Sequence, residues 1–308
     1  MPAANANVMI LHHFDASPFS EKVRLTFGLK GLEWRSVIIP SMLPKPDYLP
    51  LTGGYRRTPS MQIGADVYCD TQVILEEIER RVPSPSLLGD GLDWAVNLWA
   101  DRLFFGATVP VIFGLIGDHV PEDFKKDRTE MSGRPFDGKA MAAMAPVLKQ
   151  QWRAQAGWIE EALGKAEWLG GERITLADIA AYMNVWFLNN ATPSLVPEMT
   201  AGMPKLTAWR GRMKAIGHGK PSDMSGEDAL ATARACEPAP APAHDANDLL
   251  GAQPGDKVVV MADDYGKDAV SGLLVAATPT RIVLAREHEL TGKVHVHFPR
   301  AGYVALKG

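Results

Sequence analysis

The first quarter of the chain alternates between short apolar runs and segments whose apolar residues recur every three or four positions. Phe19, Val23 and Phe27 follow four-residue spacing, which predicts one face of a helix over residues 18–30. Pro18 fits its first turn, where the missing N–H costs no hydrogen bond. The apolar runs predict strands at 8–11, 34–39, 60–63 and 66–69, and a closing helix around 71–82. The predicted order is βαβ followed by ββα.

The middle of the chain, residues 92–218, lacks strand-like alternation and is rich in Trp, Met, Leu and Ala, which predicts an all-helical domain. Thr175 and Asp178 stand in a Thr-x-x-acid arrangement typical of a capping box. The helix that they open is apolar nearly all round, so it should be buried at the domain centre. Their expected role is structural.

A Pro-Ala run at residues 237–243 predicts a stiff, extended linker. Short β-rich runs follow it, and turn residues separate them, which predicts a small β-barrel-like module of SH3 size. His295 and His297 alternate with apolar residues on one predicted strand. We interpret them as part of an exposed polar face, since no third metal ligand can be identified. The expected boundaries are 7–87, 91–219, a linker at 220–247, and 248–308.

Composition narrows the classes of function. The 308 residues are 46% hydrophobic and 22% charged, enough for two or three globular domains. The net charge of −4 supplies no basic field, so nucleic acid is not an expected partner. Two cysteines exclude a disulfide framework and a four-Cys zinc site, and no metal is predicted. Without an apolar run of membrane-spanning length or a signal-like start, we expect a cytoplasmic protein without a membrane partner.

Three short motifs carry the candidate chemistry. Ser17 begins the first helix, directly after the first strand. Arg57-Thr58-Pro59 precedes the third strand, and Asp70-Thr71 opens the next helix. In this order and spacing the motifs resemble the glutathione-binding half of a glutathione S-transferase. The resemblance implies a thioredoxin-like domain, an all-α domain, and an additional C-terminal β module that ordinary two-domain transferases lack.

The resemblance gives Ser17 the catalytic role. A free thiol with a pKa near 8.5 is only a few per cent ionised at neutral pH, and the thiolate is the nucleophile. A hydroxyl that donates to the sulfur at a positive helix end stabilises the anion by about 1–3 kcal/mol. No Tyr precedes Tyr48 and no Cys lies near position 17, so Ser17 is the best-placed residue and Ser20 is the reserve candidate.

The other two motifs would bind glutathione. In the resembled family the bond before Pro59 is cis, and the main chain of Thr58 would pair with the cysteinyl part of the tripeptide. Arg57 would lie near the glycyl carboxylate. Asp70 would bind the γ-glutamyl ammonium, and Thr71 would bind the neighbouring carboxylate at the helix N-terminus. The family more often has Glu-Ser where this chain has Asp-Thr.

The resulting hypothesis is a glutathione transferase-like enzyme, with glutathione as co-substrate, that attacks a small electrophile. The electrophile would lie between the two domains, near Trp94, Trp99, Arg102 and Phe105, and the resemblance suggests a homodimer. A glutathione-dependent lyase, isomerase or dehalogenase would use the same thiolate. A non-catalytic interaction or scaffold protein is the second alternative, and the additional β module makes it credible.

Overall fold

The computed structural model describes residues 7–89 and 91–308. Residues 10–81, called the thioredoxin-like half below, have the predicted βαβ-ββα order. Strand β1 pairs in parallel with β2 and antiparallel with β3, which pairs antiparallel with β4. These elements are β1 (Ile10–His13), α1 (Pro18–Leu29), β2 (Glu33–Ile38), α2 (Leu49–Thr52), β3 (Ser60–Ile63), β4 (Asp66–Cys69) and α3 (Thr71–Arg81). The thioredoxin-like prediction is therefore confirmed.

Residues 93–215, called the helical half below, are helical, as predicted. Its helices are α4 (Asp93–Trp99), α5 (Phe105–Ile116), α6 (Glu122–Ser132), α7 (Gly138–Ala162), α8 (Leu176–Ala191), α9 (Val196–Met199) and α10 (Pro204–Ala215), with a π-helical turn (Ala100–Phe104) joining α4 to α5. The capping box is present: Thr175 caps α8, and Asp178 accepts from the Thr175 N–H at 3.2 Å. Asp178 also accepts from the indole N–H of the buried Trp209 at 2.9 Å. These bonds fix the buried helix α8 at the centre of the domain.

One helical stretch differs from expectation. Asp93–His119 is a continuous helical run of 27 residues whose most apolar window of 18 residues has a mean hydropathy of 1.4, so its length and composition would suffice to cross a membrane. In the fold, 39% of its most apolar window is buried. A core helix meets the same criterion, and Phe104 and Val111 of this stretch pack in the helical core. The expectation that no apolar run reaches that length was wrong; the absence of a membrane partner stays a prediction.

Regular secondary structure continues beyond α10 into the interval predicted as a linker. Strand β5 (Lys220–Asp223) pairs in parallel with β2, and helix α11 (Gly226–Arg234) follows it. Gln62 of β3 donates to the Ala229 carbonyl of α11 at 2.9 Å. The interval 220–247, predicted as a linker, therefore holds a strand and a helix, and residues 224–225 and 235–247 have neither. The domain boundaries themselves stay a prediction.

The β-rich module is confirmed, but the SH3-sized barrel is not. Its strands are β6 (Lys257–Ala262), β7 (Val270–Ala277), β8 (Arg281–His288), β9 (Gly292–Pro299) and β10 (Tyr303–Lys307). Strand β9 pairs in parallel with β4, so the ten strands found in residues 7–89 and 91–308 form one sheet in the order β10-β6-β7-β8-β9-β4-β3-β1-β2-β5. Val67 and Cys69 share a buried apolar cluster with Val258, Val296 and Phe298. The module is thus joined to the thioredoxin-like half by both sheet and core.

The histidines of β9 are buried, so their assignment to an exposed polar face was wrong. His297 bonds to Asp66 at 2.8 Å, and its ring stacks on Tyr68. Burial lowers the pKa of His297, although Asp66 opposes that shift. The parallel pairing of β9 with β4 places these groups together, and a pairing between distant segments could not be read from the alternation of a single strand.

Candidate functional site

Ser17 is the N-cap of α1. Its Oγ accepts from the Ser20 N–H at 3.2 Å, and the residue is only 3% exposed. An accepting hydroxyl keeps its own proton available for a further bond, so this geometry leaves Ser17 able to donate to a sulfur atom. Ser20, the reserve candidate, is completely buried, and its hydroxyl has no partner among the described residues.

The second motif lies beside β3. The Thr58–Pro59 peptide bond is cis, as the resemblance implied. The Thr58 hydroxyl accepts from Lys45 Nζ at 3.2 Å, and the Arg57 carbonyl accepts from the Tyr48 hydroxyl at 2.5 Å. Burial and the nearby Arg128 lower the pKa of Lys45 to about 8. Side chains from the preceding connection therefore fix the backbone of this motif.

Asp70 lies at the strand-to-helix corner with φ 88°, a left-handed conformation unusual for a residue other than glycine. One carboxylate oxygen accepts from the Gln72 N–H at 2.9 Å, which caps α3. The other accepts from the Tyr303 hydroxyl at 3.0 Å, and Tyr303 also bonds to Tyr55 at 3.0 Å. Burial and the Asp70 charge raise the pKa of Tyr303, so this phenol remains protonated and donates.

Thr71 belongs to a buried network that sequence reasoning missed. Lys22 of α1 is fully buried, and its Nζ donates to the Thr71 hydroxyl at 3.2 Å, to Asn97 at 2.6 Å and to Asp101 at 2.8 Å. Burial raises the pKa of Asp101, and Lys22 opposes that shift. The available signal was the four-residue spacing of Asn97 and Asp101 among the apolar residues of this helical run. The network joins Thr71 to α1 and to the helical half.

Residues 263–268, in the connection between β6 and β7, contact both the thioredoxin-like half and the helical half, which face each other across the domain cleft; we call these residues the acidic loop. Asp264 pairs with Arg57 of the thioredoxin-like half. Arg102 of the helical half pairs with Asp264 at 3.1 Å and with Asp263 at 2.7 Å. Burial opposes ionisation of Asp264, but Arg57 and Arg102 outweigh it and hold the pKa of this carboxyl below its usual value. Asp264 thus bridges two arginines from different halves.

Further contacts hold the same loop in place. The Gly266 N–H donates to the Met131 carbonyl of α6 at 2.9 Å, and Arg56 donates to Asp268 at 3.1 Å. A Cβ at Gly266 would lie 2.8 Å from the Met131 methyl group, and its φ is +56°. The positive φ favours glycine here, and the Met131 methyl group would have to shift to admit a larger residue.

The turn before β10 makes a second contact with the motif at α3. The Gln72 side chain donates to the Ala301 carbonyl at 3.0 Å, next to the bond between Asp70 and Tyr303. The module therefore engages both charged side chains, Arg57 and Asp70, that the resemblance assigns to glutathione. The described residues show no hydrogen bond from Ser17 to the other motifs.

The four residues expected near an electrophile have separate environments. Arg102 is paired with the acidic loop. Trp99 donates to Gln155 at 2.9 Å within the helical half, and Phe105 packs edge-on against Phe19 of α1. Trp94 packs against the core of the helical half. The one charged member of the set therefore already has carboxylate partners.

Comparison with known proteins agrees with this architecture. The model of the glutathione S-transferase N-terminal domain matches residues 11–86, and that of the C-terminal domain matches residues 131–216. A GST-like protein from Pseudomonas syringae is 35% identical, with a TM-score of 0.81, and the match covers 98% of this chain and 100% of that one. The chain belongs to the glutathione S-transferase family. The extent of the match shows that the β-rich third has a counterpart in the Pseudomonas protein.

Two further relatives match smaller shares of this chain. FtsZ-localized protein A of Caulobacter vibrioides (strain NA1000 / CB15N) is 30% identical over 179 residues, which cover 56% of this chain and 73% of that protein. A glutathione S-transferase from Methylobacterium radiotolerans, solved with glutathione sulfonate, is 22% identical with a TM-score of 0.51. That match covers 71% of this chain and 97% of the transferase, and it shows a shared fold.

Proposed function

We propose that this protein is a non-catalytic, GST-fold interaction protein whose C-terminal module closes the family's glutathione cleft. The observation that carries the proposal is the engagement of Arg57 by Asp264 and of Asp70 by Tyr303. The Asp264 carboxylate and the Tyr303 hydroxyl contact Arg57 and Asp70, the two side chains that would otherwise bind the charged ends of glutathione. The fold then serves as a surface for another protein.

The covalent connection favours the closed arrangement. A tethered group competes with a free ligand at an effective concentration in the millimolar range or higher. The acidic loop and the turn before β10 make several contacts at once, with Arg57, Arg102, Met131 and Gln72. Glutathione would have to displace these contacts together in order to reach Arg57 and Asp70.

The relative named FtsZ-localized protein A suggests a partner. Its match spans 73% of its own length, so the likeness covers most of that protein's fold. We take FtsZ, the protein in that name, as the candidate partner of this chain. Co-sedimentation of the full chain with assembled FtsZ tests this choice; a chain that stays in the supernatant at every FtsZ concentration argues against it.

The second candidate function is the glutathione-dependent enzyme. The geometry of Ser17 supports it, since the hydroxyl keeps a proton for a thiolate at the N-terminus of α1. The glutathione thiol would lose its proton to solvent, and the thiolate would attack a small electrophile. Conjugating, lyase, isomerase and dehalogenase chemistry would all start from that thiolate. This function requires that the module leave Arg57 and Asp70 free.

Calorimetric titration of the full chain with glutathione separates the two functions. We expect no saturable binding below about 1 mM for the unaltered protein. The combined variant Asp264→Asn and Tyr303→Phe should gain affinity, because it weakens the contacts that glutathione must displace. Micromolar binding by the unaltered protein, with turnover of 1-chloro-2,4-dinitrobenzene that Ser17→Ala reduces, would support the enzyme instead. The homodimer and the cytoplasmic location stay predictions.

A further inference from the structure

A cavity lies away from the acidic loop, where α1, α8 and α10 meet the turn at Gly217 and His218. Its volume is about 520 Å³, within the usual range for sites that hold small molecules. Trp186 and Asn190 of α8 line one side of it, and Arg210 and Lys214 of α10 line the other. None of the residues in the three candidate motifs lines this cavity.

The charges in this cavity do not balance. Glu21 lines it, but Arg24 binds this carboxylate through two nitrogens at 2.8 and 3.1 Å, and His218 lies 3.1 Å from it. Arg210 donates to the uncharged Asn189 side chain at 2.9 Å. Among the described residues, neither Arg210 nor Lys214 has a carboxylate within salt-bridge distance. The unpaired charge on the α10 wall is therefore positive.

Tyr182 supplies a second polar group. The residue is only 2% exposed and lines the cavity, and within the part of the chain that the structure describes its hydroxyl has no hydrogen-bond partner. Burial raises the pKa of this phenol, so the hydroxyl is protonated at neutral pH. The hydroxyl lies at the cavity lining, where it can donate to a ligand or to water.

Gly211 keeps the α10 wall open. A glycine inside a helix costs about 1 kcal/mol relative to alanine, so its presence usually has a packing reason. Here a Cβ would meet no atom within 4 Å, so close packing does not require glycine. Gly211 lines the cavity between Arg210 and Lys214, and the missing side chain leaves space beside both cations.

We propose that this cavity binds a small aromatic carboxylate. The carboxylate would bind Arg210 and accept from the Tyr182 hydroxyl, and the planar ring would pack against Trp186. Trp186 is half-buried, and the Arg24 guanidinium lies 5.8 Å from its ring centre. Large apolar surface and a few polar groups that fix orientation are the usual composition of a small-molecule site.

Isothermal titration of the full chain with 2-naphthoate tests the proposal. We expect saturable binding with a Kd at or below about 1 mM, and weaker binding of the uncharged 2-naphthylmethanol. Arg210→Gln should weaken 2-naphthoate binding about tenfold or more, since it removes a charged hydrogen bond. Gly211→Leu should abolish binding by filling the cavity, and leucine favours the helix, so the fold should persist.

Two exposed positions on α10 that do not line the cavity give matched controls. Lys205→Gln removes a charge from the same helix, and Ala208→Leu places a leucine on that helix outside the cavity; both should leave the Kd unchanged. Absence of saturable binding, equal affinity for the uncharged analogue, or insensitivity to Arg210→Gln would each overturn the proposal. Arg210 is only partly buried, so its variant gives a result even if Gly211→Leu does not fold.

Discussion

The domain cleft and the cavity between α1, α8 and α10 differ in how the chain treats its own charges. In the cleft, Arg57, Arg102 and Asp70 all have partners supplied by the C-terminal module. In the cavity, Arg210 has only an uncharged amide partner, and the Tyr182 hydroxyl has none among the described residues. The charged side chains of the site expected from the family are therefore paired within the chain. The cavity, which no motif predicts, has polar and charged groups without such partners. Membership of a fold family does not by itself identify the free binding site of a member.

The largest effect is expected at the buried end of the cleft. Lys22→Met should destabilise the protein by about 3–5 kcal/mol, because it leaves the Asp101 carboxylate buried without its cation. Urea unfolding measures the change. Lys165→Met is the matched control, since Lys165 pairs with Glu161 on the surface and its loss should not be measurable. A loss at Lys22 below about 1 kcal/mol would show that the network is not a buried ion pair.

Acid should weaken the protein, since several histidines are buried without charge. Burial lowers the pKa of His12 to about 4 and also lowers that of His297. Below the unfolded value of about 6.5 the unfolded chain binds more protons than the folded chain, so stability falls from about pH 6.5 toward pH 4. Each such histidine contributes at most about 1.4 kcal/mol per pH unit.

His297→Gln tests this loss of stability in acid at the junction between the C-terminal module and the thioredoxin-like half. Glutamine keeps a donor for Asp66 but cannot take a proton, so the pH slope of the unfolding free energy should decrease. His119→Gln, at an exposed position, is the control and should leave the slope unchanged. Equal slopes for the unaltered protein and His297→Gln would mean that His297 does not titrate differently in the two states.

Asp264→Asn tests the closed cleft by itself. The change removes the charge that Arg57 and Arg102 share, and we expect it to cost about 1–2 kcal/mol because the group is only partly buried. It should also expose the acidic loop to faster amide hydrogen exchange. Asp256→Asn, which affects a surface pair with Lys307, is the control. Unchanged exchange in residues 263–268 would contradict the bridging role of Asp264.

The smallest effect is expected at Ser17. Ser17→Ala removes an N-cap bond and should cost about 1 kcal/mol of stability. Binding of a protein partner should not change, because the residue is buried. Thermal unfolding together with the co-sedimentation assay measures both. A strong loss of partner binding without a loss of stability would assign Ser17 a role that the interaction proposal does not include.

Local signals predicted much of this fold because they depend on short-range physics. The periodicity of Phe19, Val23 and Phe27 marked α1, and the spacing of Thr175 and Asp178 marked the start of α8. The strand β5, within the predicted linker, gave no apolar pattern because it is stabilised by pairing with β2 rather than by an apolar face of its own.

The side-chain pairings in the cleft could not be predicted from local signals. Asp264 and Arg57 are more than two hundred positions apart, and their pairing depends on β9 joining β4. Lys22 lies in a segment where sequence alone suggests an exposed lysine, and only the approach of α4 makes it buried. Long-range pairing of this kind leaves no periodic signal in a single sequence.

A double-mutant cycle between Arg57 and Asp264 tests the closed cleft most directly. The unfolding free energies of the unaltered protein, Arg57→Gln, Asp264→Asn and the combined variant give the coupling between the two side chains. The partly buried ion pair predicts a coupling of about 1 kcal/mol. A coupling within about 0.3 kcal/mol of zero would show that the acidic loop does not occupy the cleft in solution.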